Sequence, residues 1–207
     1  MNNYNHNVFI NCPFDKDFSP FLKVIFFTIY SFKLIPRIAT ERFDSSEVRF
    51  AKIKELIEDS RYGIHDFSRI KSSKKNEYFR LNMPFELGID IAAKCFLPEK
   101  NDKSILILEA EERSVQKAMS DLSFGDCKCH HSDAETLIKN IREWFIENGL
   151  KSPDSPSRLW NNYNFITSAI FAELADMGFT KFDIDNISTK EYLGYIRDQF
   201  KIPNSAA

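Results

Sequence analysis

The residues able to do chemistry fall in a few short stretches of the chain. Asn82-Met83-Pro84-Phe85-Glu86-Leu87-Gly88 puts a proline where a helix prefers one, so Glu86 is expected in the first turn of a helix running to about Cys95. A carboxylate there has two readings: it complements the helix dipole, or it reacts with a bound ligand. Gly88, unfavourable inside a helix, suggests close backbone packing beside that site. Asp66 closes the run Tyr62-Gly63-Ile64-His65-Asp66, either as a turn residue or as a group facing a ligand. Arg69 and Arg80 lie in a long polar loop, Phe67 to Asn82, with Lys71, Lys74 and Lys75. Such a loop is a solvated surface or a phosphate clamp, and arginine is the better clamp because it binds phosphate bidentately.

Other combinations are weaker. Cys127-x-Cys129-x-His131 puts three ligand types on one strand face, with His130 opposite. Metal sites combine two separated ligand pairs, and the chain has no second pair, so no metal is expected. Cys12 and His65 sit in or beside apolar strands, which favours buried structural roles over a thiol with its base. Phe14 and Phe67, beside strand ends, are the aromatic residues best placed to stack on a planar ligand.

These groups need a scaffold, and the hydrophobic pattern supplies one. Val8-Phe9-Ile10, Leu34 to Ala39, Tyr62 to Asp66, Ser104 to Leu108 and Cys127 to Cys129 read as strands, the second an edge strand because of Pro36. Between them, apolar residues recur at helical spacing: Phe18 to Ile29, Phe50 to Ile57 with Asp44 as a cap, Pro84 to Cys95, and Ser114 to Leu122. Ser132 with Glu135 reads as a capping box for a helix carrying Leu137, Ile138, Ile141 and Phe145. Strands alternating with helices predict an α/β fold: a flavodoxin-like three-layer sandwich with a parallel sheet of about five strands. Lys151 to Arg158 reads as a linker. It separates an α/β domain, residues 1–150, from a C-terminal helical extension, residues 151–207. The extension has apolar stripes, Leu159, Tyr163, Ile166, Ile170 and Leu174, then Tyr192, Ile196 and Phe200 behind a Ser188–Glu191 cap. It must therefore pack on the core or on a partner subunit.

Composition narrows the function classes. Of 207 residues, 43% are hydrophobic and 20 are Phe, so the chain buries a core and is not disordered. With 30 acidic against 28 basic residues it lacks the basic excess of a duplex nucleic-acid binder. Six glycines form no phosphate-cradling fingerprint, so a bound phosphate would rely on helix N-termini or on Arg and Lys. The polar start, Met1 to Asn7, is no signal peptide, and Val24 to Phe32 is too short to cross a bilayer. Four cysteines make no disulfide framework. The expectation is a cytoplasmic protein with reduced thiols.

Phe85-Glu86-Leu87-Gly88 after a strand and loop resembles the Glu-Leu-Gly element of nucleoside deoxyribosyltransferases, whose Glu attacks the anomeric carbon of the sugar. Those enzymes share a flavodoxin-like fold with TIR domains, many of which use a Glu to cleave the nicotinamide–ribose bond of NAD. Arg61 to Arg69 with Asn82 to Gly88, and the opening Phe9-Ile10-Asn11-Cys12-Pro13-Phe14, are similar to uncharacterised bacterial proteins of this type. The resemblance spans roughly residues 8 to 148. It implies an N-glycosidase or glycosyltransferase acting on NAD or another nucleotide or nucleoside, without a cofactor, in nucleotide metabolism or antiviral defence. Glu86 would be the catalytic carboxylate, held ionised by the helix N-terminus. Asp66 would orient the ribose or assist the leaving base. Asn11, Phe14, Phe67, Ser68, Arg69, Arg80 and Asn82 would bind substrate, and such sites are often completed in a homo-oligomer. The alternative is a non-catalytic nucleotide-sensing or self-associating module that keeps the pocket only to bind. A phosphotransfer receiver would use Asp66 as acceptor and needs a lysine after the fifth strand, which is not evident.

Overall fold

The computed structural model describes residues 3–41, 46–71, 81–120, 126–151 and 154–201. Five strands, β1 (Asn7–Asn11), β2 (Ile35–Arg37), β3 (Tyr62–Asp66), β4 (Ser104–Glu109) and β5 (Lys128–Cys129), form one sheet in the order β2-β1-β3-β4-β5. Every pairing is parallel, with Ile10 opposite Ile64 and Ile64 opposite Leu106 at the centre. This is the flavodoxin-like order, with its switch between β1 and β3. β2 is at the edge, where the missing N–H of Pro36 does least harm.

The helices α1 (Ser19–Ser31), α2 (Arg49–Glu58), α3 (Asn82–Phe96), α4 (Ser114–Ala118) and α5 (Ala134–Glu147) connect or follow the strands. Alternation along the strands sorts the faces. Val8, Ile10, Tyr62, Ile64, Leu106 and Leu108 pack with α1 and α5, while Phe9 packs with Ile53, Leu56, Ile57 of α2 and Ala93 of α3. Phe67, Ile107 and Val115 meet Met83 and Leu87 of α3 in a third cluster. α1 is buried from Val24 through Tyr30, on every side, because a further layer covers it.

That layer is C-terminal: α6 (Pro156–Asp176), α7 (Lys181–Asp185) and α8 (Thr189–Gln199). Leu159, Ile170, Leu174, Tyr192 and Ile196 lie in the same apolar cluster as α1 and α5, and Phe27 meets the rings of Tyr163 and Phe200 at 5.5 and 5.6 Å. Each fully buried side chain of this kind contributes about 1.5–3 kcal/mol.

Helix starts differ from expectation in three places. α5 is capped by Asp133, whose carboxylate accepts from the Thr136 N–H; Ser132 stands outside in a left-handed conformation, φ 54°. α6 begins inside the expected linker, with Ser155 as its cap. α3 begins at Asn82, so Glu86 is in its second turn rather than its first. Asp44, Lys74, Lys75 and Arg80 lie outside the described residues. No helix among the described residues is long and apolar enough to cross a membrane.

Candidate functional site

Residues at the carboxyl ends of β1 and β3 flank the switch point, where ligands of such sheets bind. Neighbouring residues of β3 serve different faces. His65 turns toward α3, whereas Asp66 turns toward the α1–α5 side. The site therefore has two separate polar centres.

On the α3 side a buried chain of polar groups runs inward from the helix start. The Asn11 amide donates to the Met83 carbonyl at 2.9 Å and lies 3.1 Å from His65 Nδ1. Nδ1 accepting from that amide leaves the proton on Nε2, which is 3.0 Å from Asp90 Oδ2. Asp90 Oδ1 is 3.0 Å from Lys103 Nζ, which also donates to the Ile57 carbonyl at 2.8 Å and to the Ser60 carbonyl. Burial opposes the Asp90 charge, yet the hydrogen bond from His65 and the Lys103 ammonium hold its carboxyl below the ordinary range. Burial in turn pulls Lys103 down, against the attraction of Asp90. A Cβ on Gly63 would come within 2.1 Å of Asp90 Oδ2, so glycine is required for Asp90 to reach the sheet. Asn11 and His65, both buried, thus brace the start of α3.

Glu86 is one helical turn from Asn82 on one side and from Asp90 on the other, and is 6% exposed. Burial pushes its carboxyl up, opposed by a hydrogen bond from Asn82 and by Arg49 and His65 nearby. The expected ionising pull of the helix N-terminus is outweighed, because Glu86 is a turn further in and desolvated. Asn82 and Arg49 are exposed, so the carboxyl lies just beneath the surface between α2 and α3. Phe50 of α2 and Phe85 of α3 are exposed there too, with ring centroids 5.9 Å apart. In sequence Phe50 reads as the first residue of a buried helical stripe and Phe85 only as a neighbour of Glu86, and Arg49 does not stand out; the structure leaves both rings exposed.

On the other face, Asp66 accepts from the Ser68 N–H at 2.8 Å, and its other oxygen is 3.2 Å from His130 Nε2. That same nitrogen is 2.8 Å from Ser68 Oγ, while Nδ1 accepts from the Ser132 N–H at 3.1 Å. With Nδ1 an acceptor, Nε2 bears the proton and donates, so His130 is not a base for Ser68. Asp66 is fully buried in this cluster, with Ser68 and His130 as its partners. The cluster floors a polar cleft of about 280 Å³ lined by Asp17, Ser68, Arg69, Glu111 and His130.

The other expected ligand residues sit among partners of their own. Asn11 is enclosed in the scaffold, and Phe67 is core, 2% exposed, its edge lining an apolar cleft of about 300 Å³ with Met83, Pro84 and Met119. One nitrogen of Arg69, Nη2, lies 3.3 Å from Asp15 and 3.1 Å from Asp17 in solvent-exposed ion pairs. A Cβ on Gly88 would meet nothing within 4 Å, so that glycine marks no close packing. Phe14 remains exposed in the β1 loop. Cys129 Sγ is 3.4 Å from His131 Nδ1, but no group of three or more metal-ligating side chains occurs among the described residues. Comparison of the chain with protein-family models, with curated proteins and with solved structures gives no match.

Proposed function

We propose that this protein cleaves the N-glycosidic bond between base and ribose of a nucleotide, with Glu86 as the reacting carboxylate. The observation that carries the reading is a desolvated carboxylate just beneath the surface near the β1–β3 switch, in a helix whose start is braced by Asn11 and His65. Heterolysis of the C1′–N bond leaves the electron pair on the base and positive charge on the sugar. An ionised Glu86 stabilises that charge or bonds to C1′; water then attacks C1′, leaving its hydroxyl on the sugar and its proton to the departing base or the medium, or a free base takes the sugar at a ring nitrogen and gives up that nitrogen's proton. Partial desolvation strengthens the attraction for the developing cation. The same features suit the deoxyribosyltransferase and TIR resemblance, with action in the cytoplasm on NAD or a nucleoside phosphate.

A second reading, a binding or self-associating module without turnover, is favoured by one observation: Val48 and Leu81 are 68% and 67% exposed. Incubating the protein with NAD and with nucleosides and nucleotides, and following released base by chromatography, separates the two. Base release by the wild type and its loss in Glu86→Gln support the enzyme; ligand binding without base release supports the module.

A further inference from the structure

Two dipeptides meet where α2 and α3 come together: Arg49-Phe50 at the start of α2 and Phe85-Glu86 in α3. Their ring centroids lie 5.9 Å apart with the planes tilted by 33°, yet Phe50 and Phe85 are 51% and 59% exposed. A contact that still leaves half of both rings in water is poor use of two phenylalanines as core. It leaves an apolar shelf open to a flat ligand. Arg49 is exposed and close enough to favour the charged form of Glu86. Arg69, by contrast, belongs to the other polar centre, with its Nη2 near Asp15 and Asp17.

We infer that Arg49, Phe50 and Phe85 form the nucleotide-gripping subsite of the Glu86 centre, with the ring pair stacking on the base and Arg49 holding a phosphate. The inference rests on the Glu86 reading and gives it a substrate class: phosphorylated nucleotides rather than free nucleosides. Stacking on aromatic rings tolerates any base, because every base has a π-face. The guanidinium adds charge-assisted hydrogen bonds to phosphate that a nucleoside cannot use. Both kinds of contact sit beside a carboxylate that would otherwise repel the phosphate, and Arg49 offsets that repulsion.

The test is binding measured by calorimetry on the full chain, with AMP, GMP, CMP and UMP and the matching nucleosides as probes. The expected result is that at least one nucleotide binds and that Arg49→Ala weakens it about tenfold or more while leaving its nucleoside unchanged. Phe50→Leu with Phe85→Leu should weaken nucleotide and nucleoside alike, by about tenfold. Both rings are more than half exposed, so these variants should keep the wild-type circular dichroism and melting temperature. Binding of none of the probes at millimolar concentration, or equal affinity of wild type and variants, overturns the subsite. So does a change of sedimentation in the Leu variant with nucleotide affinity intact, since the shelf would then be covered by a second copy. Failure of the Glu86 reading is separable: nucleotides would bind in this pattern without release of base. Conversely, base release with an unchanged KM in the variants removes the subsite and leaves Glu86 standing.

Discussion

Glu86 carries opposing demands. Its burial pushes the carboxyl above its ordinary range, so the native state is penalised once Glu86 ionises. That penalty is absent below the unfolded value, where the group is protonated in both states, and complete above the raised folded value. Glu86→Gln should therefore melt higher than wild type at pH 7, by about 2–4 °C for each kcal/mol relieved, with the gain fading near pH 4. Thermal melts across that range check it; a variant no more stable at pH 7 would mean the charge is well compensated. A reacting carboxylate also has to be ionised, so turnover should fall as acid protonates it. The acidic limb of kcat/KM is then expected above the ordinary glutamate range. Asp90 has the opposite sign: its contribution is complete above the unfolded value and is lost only as pH falls through its lowered folded one.

Among the elements, β3 and α3 decide the site, and the Asp90–Lys103 pair ties them to α2. Asp90→Asn leaves the buried Lys103 ammonium without its counter-charge and should cost about 3–5 kcal/mol in urea unfolding. The double change Asp90→Asn with Lys103→Met should recover most of that loss, and failure to recover would mean Asp90 acts mainly through His65. The strands are legible in sequence because period and turn residues act locally: Tyr62–Asp66 appears at its expected bounds, and edge strand β2 follows from Pro36. The start of α3 is less legible. Pro84 is acceptable anywhere in a first turn, and α3 starts two residues before it. α7 escapes notice because it is short, although the Thr180–Asp183 capping box marks it. Side-chain partnerships are hidden altogether: period two sends His65 and Asp66 to opposite faces, and only tertiary packing brings Arg69 to Asp15 or Arg49 to Glu86.

At the scale of the whole molecule, the sheet is covered asymmetrically. The α1–α5 face carries a second helical layer, whereas α2 and α3 leave Phe50, Phe85 and Phe96 exposed. The second layer shares the main core, so deleting residues 152–207 would uncover Val24, Phe27 and Tyr30 along α1. The truncated chain is expected to aggregate, or to melt far below the full chain, in light scattering and calorimetry. A soluble truncation with an unchanged melting temperature would mean these helices contribute little to the core. The open α2–α3 face, with the switch point at its edge, is the proposed place of the chemistry.

The most direct measurement is base release from NAD and from a nucleotide panel by matched preparations of wild type and Glu86→Gln, each verified as folded. The wild type is expected to release base, and the Gln variant, which keeps the shape and loses the charge, to do so at a rate lower by at least about 10³-fold. Equal rates in the two proteins would contradict the proposed function, leaving Glu86 as a buried helix charge and no reacting carboxylate at the site.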